Sequence, residues 1–171
     1  MVEWWQFLLN INMNLEKILD SIGNKLFNYL TIKLSSSLDA EDVLQEVCFR
    51  LVRYKVRFRL IRNPSAYVFR VARNEAIRFL KNRKRNPERY HSVEERANVI
   101  QDNLTGIEKE VMNKVAEALA LIPEDQREVI ILRFFEELTL REIATVCGVS
   151  INTAASRFRY GMQKLRQLLE G

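Results

Sequence analysis

Helical periodicity runs through almost the whole chain, and this feature constrains the fold more than any other. Between Leu15 and Leu30, apolar residues recur every three or four positions, which places them on one face of a helix. Only 5 glycines and 3 prolines occur among 171 residues, so few points interrupt the pattern. No convincing alternating pattern predicts a sheet. The sequence therefore predicts an all-α protein.

Short breaks divide the periodic pattern into separate helices. The first predicted helix covers about 14–34 and ends at the serines 35–37. A second begins near Asp39, since acidic side chains favour a helix N-terminus. A third begins at Asn63-Pro64, with Asn as the cap, and ends before Pro87. The predicted core stripe of the second helix is Leu44, Val47, Cys48 and Leu51.

The middle of the chain has the composition of a linker. Residues 88–110 contain few large apolar side chains and include Asn-Leu-Thr-Gly. The helical pattern resumes near Val111 and again after Pro123. We therefore expect two small helical domains joined by a flexible linker, with limits at 1–90, 91–112 and 113–171.

Several functional classes are excluded by residue usage. The glycines lie too far apart for a Rossmann or P-loop phosphate cradle. One histidine, His91, and two distant cysteines, Cys48 and Cys147, match no zinc spacing and argue against a catalytic triad. We expect no catalytic residues, no metal, no cofactor and no small-molecule substrate. No apolar run reaches the length of a membrane span, and no signal peptide is evident, so a cytoplasmic location is expected.

Charge is strongly segregated along the chain. Residues 50–90 hold 14 basic and 2 acidic residues, a net charge of +12, whereas residues 1–49 carry a net charge of −4. Such a basic block repels itself unless it meets a polyanion, which makes nucleic acid the leading partner. A solvated basic surface is the alternative. A membrane surface fits less well, because no clean apolar face lies opposite the charges.

The pattern over 138–158 is typical of a helix-turn-helix. Thr139 is placed to cap a short helix, Gly148 to make a left-handed turn, and Ser150 to cap the next helix. An ordinary helical hairpin is the alternative. The predicted core stripe of the last helix is Ala154, Phe158, Gly161, Leu165 and Leu168, and its opposite face carries Asn152, Thr153, Ser156, Arg159, Tyr160 and Gln163.

The C-terminal segment resembles region 4 of bacterial sigma factors, which reads the −35 promoter element. The similarity covers roughly 115–169 and includes the run 119–133, Glu142-Ile143-Ala144, Gly148-Val149-Ser150 and Lys164-Leu165-Arg166. Ala155 and Tyr160 stand where the family usually has basic residues, which implies weaker or altered −35 binding. The resemblance implies these −35 residues: Asn152, Thr153, Ser156, Arg157, Arg159 and Tyr160.

The segment 39–47, Asp-Ala-Glu-Asp-Val-Leu-Gln-Glu-Val, resembles sigma region 2. In the family this helix docks on the clamp of core RNA polymerase. An acid–amide face with one exposed aromatic side chain suits a protein partner, and a solvated helix start is the alternative. The predicted polymerase-docking residues are Asp42, Gln45, Glu46, Phe49 and Arg50, and Arg53 is expected on the same exposed face.

Residues 66–77 are similar to the family helix that, with the preceding loop, opens the −10 element and holds an unstacked base. At 55–62 cations alternate with apolar groups. In such a pattern the cations neutralise phosphates, and the apolar and aromatic groups replace lost base stacking. A short amphipathic strand is the alternative. Side chains such as Tyr67 and Phe69 are more often part of the core or its rim than platforms for bases. Arg78 departs from the acid or amide common in the family. The predicted −10 residues are Arg57, Phe58, Arg59, Arg62, Tyr67, Arg73, Asn74, Lys81, Arg83, Lys84 and Arg85.

Taken together, the motifs resemble an extracytoplasmic-function (ECF, group IV) sigma factor of the sigma-70 family, because the linker is too short for the extra region of larger members. The implied partners are core RNA polymerase, through its clamp and flap, and promoter DNA, as duplex and as opened strand. An anti-sigma factor is a further candidate partner. The alternatives are a dimeric helix-turn-helix regulator that acts without polymerase docking, and an RNA-binding protein that uses the basic block.

Overall fold

Helices make up all the regular structure that is described. The structure is a computed structural model and describes residues 13–53, 61–85, 114–134 and 136–170. This part of the chain confirms the all-α prediction. Its helices are α1 (Met13–Leu34), α2 (Ser37–Arg53), α3 (Pro64–Arg85), α4 (114–120), α5 (Glu124–Phe134), α6 (Leu140–Cys147) and α7 (Ile151–Glu170).

The chain divides into two compact units, Met1–Tyr90 and His91–Gly171. The predicted linker 91–112 lies outside the described residues, so the exact domain limits stay a prediction. In the described residues, no helix is long and apolar enough to cross a membrane.

The first unit is a bundle in which α1, α2 and α3 each pack against the other two. Every helix contributes side chains with almost no exposed surface to its core. Tyr29 of α1 meets Phe69 of α3 edge to face, with ring centroids 5.8 Å apart. The apolar stripe predicted for α1 is confirmed at Leu19, Ile22, Leu26 and Leu30, which are all buried.

Helix α2 begins two residues before the predicted start near Asp39, which lies in its first turn as an acidic residue, and Ser36 caps the helix. The Ser36 hydroxyl accepts a hydrogen bond from the backbone N–H of Asp39 at 3.2 Å. Ser35 adopts a left-handed φ of 56° and separates α1 from α2.

The predicted core stripe of α2 was centred wrongly: Val47 and Leu51 are buried, but Leu44 and Cys48 are only half-buried. The buried apolar face is Ala40, Val43, Val47 and Leu51.

The start of α3 follows the prediction. The Asn63 side-chain oxygen accepts a hydrogen bond from the backbone N–H of Ala66 at 3.0 Å, and Pro64 is the first helical residue. An Asn cap followed by Pro suits the first turn, because the proline has no N–H that needs a partner there. The chain therefore enters α3 in a fixed orientation.

The second unit builds its core between α5, α6 and α7, with α4 packed beside them. Ile130, Leu132 and Ile143 are almost completely buried. The stripe predicted for α7 is confirmed at Ala154, Gly161 and Leu165, which are buried. Phe158 is half-buried and packs against the core, and the prediction is wrong at Leu168, which is 37% exposed. Residues 166–170 are all exposed, so the last turn of α7 extends beyond the core.

Candidate functional site

Helices α6 and α7 are fixed as a pair by caps at both sides of the turn. The Thr139 N–H donates to the Glu142 carboxylate at 2.7 Å, and the Glu142 N–H donates to the Thr139 hydroxyl at 3.3 Å, so the first cap is a reciprocal capping box. Gly148 adopts the left-handed conformation, φ 67°, and its N–H donates to the Ala144 carbonyl. The Ser150 hydroxyl accepts from the N–H of Thr153 at 3.0 Å. The predicted helix-turn-helix geometry is confirmed.

Helix α7 presents an open polar face at its N-terminal half. Arg159 and Tyr160 are both exposed, and the Arg159 guanidinium lies 4.9 Å from the centroid of the Tyr160 ring. The same guanidinium donates a hydrogen bond to the Tyr160 hydroxyl at 3.3 Å. The hydroxyls, amide and guanidinium of such a face are groups that read base edges and phosphates in a major groove. The exposed residues on this face are Asn152, Thr153, Arg159 and Tyr160, and Ser156 beside them is half-buried.

Arg157 is placed differently from the other predicted −35 residues. Its guanidinium forms an ion pair with the Asp125 carboxylate at 3.0 Å, and its side chain is 26% exposed. Because Asp125 belongs to α5, this pair ties α7 to α5. A contact between Arg157 and DNA stays a prediction.

The face of α2 that is predicted to dock on polymerase is open at four of its five positions. Asp42, Gln45, Glu46 and Phe49 are exposed. The Phe49 ring is 56% exposed, and the Arg53 guanidinium lies 5.9 Å from its centroid. A large exposed aromatic ring beside acidic and amide groups is a suitable anchor for a protein partner.

The fifth position, Arg50, corrects the prediction of an exposed side chain. Its Nε atom lies 3.0 Å from Glu46 on the same helix and 3.0 Å from Glu75 on α3. Only 25% of the side chain is exposed. Arg50 therefore joins α2 to α3 through a largely buried ion pair.

A cleft between α2 and α3 brings together two of the predicted −10 residues. Tyr67 and Asn74 both line it, with a volume of about 240 Å³. Tyr67 is half-buried and Asn74 is exposed, whereas Phe69 is fully buried in the core. The remaining wall consists of Arg50, Leu51, Val71, Glu75 and Arg78.

Glu75, which the sequence analysis did not identify, is the buried carboxylate of this cleft. Its side chain is 7% exposed and lies 3.0 Å from Arg50 and 3.6 Å from Arg78. Burial raises the pKa of Glu75 above the ordinary glutamate value, and the positive charge of Arg50 opposes that rise. In sequence, an acid within a strongly basic helix resembles a solvated residue, so no signal marked it.

Most of the basic end of α3 is exposed, with one exception. Lys81, Lys84 and Arg85 are exposed, but Arg83 is only 19% exposed and lies 2.9 Å from Asp39 of α2. The predicted phosphate contact of Arg83 thus competes with an intramolecular ion pair. Arg62 is exposed and Arg73 is half-buried. The predicted residues Arg57, Phe58 and Arg59 lie outside the described residues.

Clusters of metal ligands are absent from the described part of the chain: no three His, Cys, Asp or Glu side chains come close enough to hold an ion. Cys48, in α2, is half-buried, and burial raises the pKa of its thiol to about 11. The thiol is therefore protonated at neutral pH, which makes it a poor nucleophile.

Two family models match separate parts of the chain. The model described as sigma-70 region 2 matches residues 18–86, and the model described as sigma-70, region 4 matches residues 112–165. These ranges contain the α2–α3 cleft and the helix-turn-helix, respectively.

Curated relatives and a solved structure are similar over nearly the full length. The RNA polymerase sigma factor SigZ of Bacillus subtilis is 28% identical over 165 residues, which cover 93% of this chain and 89% of the relative. The ECF RNA polymerase sigma factor SigW of the same species is 25% identical, over 89% of this chain and 87% of the relative. In fold, the chain is similar to the sigma factor RpoE from Bartonella quintana, solved with the anti-sigma factor NepR. The TM-score is 0.73 at 23% identity, over 93% of this chain and 98% of that one.

Proposed function

The chain belongs to the sigma-70 family as an ECF-type sigma factor, and from this premise we propose that its two units divide promoter recognition between them. Sigma factors associate with core RNA polymerase and direct initiation at particular promoters, so polymerase and promoter DNA are its partners. The family is not a family of enzymes, and we propose no catalytic activity for the chain alone. The polymerase works in the cytoplasm, which is where we place the protein.

We propose that α7 reads the −35 element in the major groove. The observation that carries this proposal is the doubly capped helix-turn-helix, which orients a polar face with four exposed side chains, and the half-buried Ser156, away from the core. Hydrogen-bonding groups at the N-terminal half of a recognition helix are the ones that reach base edges. Arg159 is the strongest candidate for a base or phosphate contact.

The first unit is proposed to open the −10 element and to dock on polymerase. Tyr67 offers a ring on which an unstacked base can lie, and Asn74 offers an amide that pairs with a base edge. The exposed acid–amide face of α2, which includes the exposed Phe49, is the proposed contact with the polymerase clamp. We also propose that a different face of the second unit meets the flap, and that an anti-sigma factor binds the chain, as NepR binds the RpoE of Bartonella quintana.

The dimeric regulator considered above is not favoured. A regulator that acts without polymerase has no need of a region 2 domain, yet the region 2 model matches residues 18–86. An RNA-binding protein is disfavoured for the same reason.

Reconstitution with core RNA polymerase tests the proposed function. We expect the purified chain to co-elute with core polymerase at micromolar concentration, and the complex to yield run-off transcripts from a subset of genomic promoter fragments. Failure to associate with core polymerase would contradict the proposal.

The assignment of α7 to the −35 element is tested by Arg159→Ala. We expect roughly tenfold fewer transcripts from a −35-dependent promoter, because a charge-assisted contact is lost. Lys17→Ala removes an equal charge from an exposed position of α1, in the other unit, and serves as the control. Equal output from the two variants would refute the assignment.

A further inference from the structure

Three charged side chains converge in the cleft between α2 and α3. Glu75 lies between two arginines, with Arg50 at 3.0 Å and Arg78 at 3.6 Å. The three differ sharply in exposure: the side chain of Glu75 is 7% exposed, that of Arg50 25% and that of Arg78 56%. The cluster therefore has a buried anion, a largely buried cation and an open cation.

The buried carboxylate fixes the geometry of this cluster. A carboxylate that is almost removed from water needs cationic partners, so Glu75 and Arg50 hold each other in place. The same Nε atom of Arg50 also lies 3.0 Å from Glu46, to which it donates a hydrogen bond. The second oxygen of Glu75 is then directed to Arg78, one turn further along α3.

Arg78 retains donors that this ion pair does not use. A guanidinium carries five N–H groups in a rigid fork, and the contact to Glu75 is a single one at 3.6 Å. More than half of the side chain faces solvent at the mouth of the cleft. The open part of the fork matches the geometry of a phosphate group.

The remaining walls suit the base of the same nucleotide. Tyr67 supplies an aromatic ring and Asn74 supplies an amide, and a cleft of about 240 Å³ holds one nucleobase. Aromatic ring, amide and cation are the three groups that a single unstacked nucleotide needs for its base face, its base edge and its phosphate. The Glu75 carboxylate faces the two arginines, at 3.0 Å and 3.6 Å, so we assign it the role of a support and not of a ligand.

We propose that Arg78 binds the backbone phosphate of the nucleotide captured in this cleft, and that Glu75 is the positioning residue that holds the guanidinium there. The inference rests on the proposed function, which places the opened −10 strand at Tyr67 and Asn74. It goes beyond the family pattern, because an acid or amide is common at the position of Arg78. The phosphate contact is thus a property of this chain.

Binding of a fluorescent single-stranded −10 oligonucleotide to the reconstituted complex with core polymerase tests the contact. We expect Arg78→Gln to weaken binding roughly tenfold, and the slope of log affinity against log salt concentration to fall by about 0.7, the contribution of one phosphate on a single strand. Lys17→Gln makes the same charge change at an exposed position of α1 that does not line the cleft. We expect it to leave affinity and slope unchanged. Equal effects of the two variants would refute the contact.

Neutral linkages in the oligonucleotide locate the phosphate. A methylphosphonate is placed at each linkage in turn; at one linkage we expect the parent to lose roughly tenfold in affinity and Arg78→Gln to lose nothing further. If Arg78→Gln lowers affinity by the same factor for every methylphosphonate oligonucleotide, Arg78 does not bind a single phosphate.

The role of Glu75 is tested by whether its substitution weakens or tightens DNA binding. Glu75→Gln removes a negative charge, so electrostatic attraction alone predicts tighter binding of DNA, whereas a positioning role predicts binding several-fold weaker. Glu75→Asp keeps the charge but withdraws the carboxylate by one methylene, and positioning again predicts weaker binding. Combining Glu75→Gln with Arg78→Gln should add little to the loss from Arg78→Gln alone. Unchanged or tighter binding by Glu75→Asp, or by a Glu75→Gln variant with parental helicity, would overturn the positioning role.

Oligonucleotide binding by the parent complex distinguishes failure of the proposed function from failure of the inference about Arg78 and Glu75. If the complex of the parent with core polymerase binds the oligonucleotide no more tightly than core polymerase alone, the proposed function fails. If the parent binds and Arg78→Gln binds equally well, only the inference about Arg78 and Glu75 fails.

Discussion

Two glycines of the second unit are required for different physical reasons. Gly148 has a left-handed φ of 67°, and a Cβ atom there would meet nothing within 4 Å. Gly161 lies inside α7, where a Cβ atom would come within 2.9 Å of Ile130 Cδ1 and 3.2 Å of Gln126 Cβ. The first glycine supplies a backbone conformation, and the second allows close packing of α7 on α5.

The same substitution should therefore have different effects at the two glycines. Asparagine tolerates the left-handed region, so Gly148→Asn should lower the free energy of unfolding by less than about 1 kcal/mol. Gly161→Asn should lower it by about 2–3 kcal/mol, because a larger side chain overpacks a buried contact. Urea unfolding monitored by circular dichroism measures both, and similar losses would contradict this explanation.

Asn74 is the residue at which base capture is best separated from duplex binding. It is exposed at the mouth of the cleft, so Asn74→Ala should leave the fold intact. We expect permanganate reactivity of the −10 thymines to fall several-fold, because the opened strand loses a hydrogen bond. Gel-shift affinity of the polymerase complex for duplex promoter DNA should change by less than twofold. Equal permanganate reactivity in variant and parent would contradict the role of Asn74.

At the scale of elements, the short helix α6 depends on its ends. It has 8 residues, which is too short for a stable helix in isolation, so its capping box and its packing hold it together. The first helix of the helix-turn-helix is thus fixed by Thr139 and Glu142 before α7 is positioned.

Removal of the capping hydroxyl should destabilise the second unit. Thr139→Ala should lower the free energy of unfolding by about 1 kcal/mol, because N–H groups of the first turn lose their acceptor. Thr145→Ala is the matched control: that hydroxyl is exposed and bonds to the Arg141 carbonyl within the helix, at 3.1 Å. We expect this control to be neutral or slightly stabilising, since Ala is a better helix former. A thermal melt of each variant checks the difference.

At the scale of the whole molecule, each unit has a core of its own. The bundle of α1, α2 and α3 buries Leu26, Val47 and Phe69, whereas the second unit buries Ile130 and Ile143. Charge is divided between the parts of the chain as well, since the +12 block over 50–90 lies within the first unit.

Division of the chain between residues 90 and 91 should leave two folded fragments. Because the cores are separate, we expect each fragment to be helical by circular dichroism and to unfold cooperatively at about the midpoint of its own transition in the full chain. Each fragment is small enough for modest stability, so the measurement is best made at low temperature. A fragment without cooperative unfolding would show that its core needs the other unit.

Local information in the sequence was sufficient for most of the helices and for the turn between α6 and α7. Caps such as Asn63, Thr139 and Ser150 act on N–H groups within three residues of themselves, and the glycine at 148 acts through its own backbone. Such features depend on neighbours along the chain, so they can be predicted without knowledge of packing.

The partners of charged side chains could not be predicted in this way, because they come from other helices. The sequence predicted Arg50 and Arg83 as exposed cations. In the structure Arg50 pairs with Glu75 and Arg83 pairs with Asp39, and these ion pairs between α2 and α3 leave both arginines largely buried. The packing of these two helices also turned the buried face of α2 towards Ala40 and Val43. Ion pairs and core faces between helices depend on how the helices pack in three dimensions, and only the folded bundle shows that Glu75 lies 3.6 Å from the exposed Arg78 guanidinium in a cleft that Asn74 also lines.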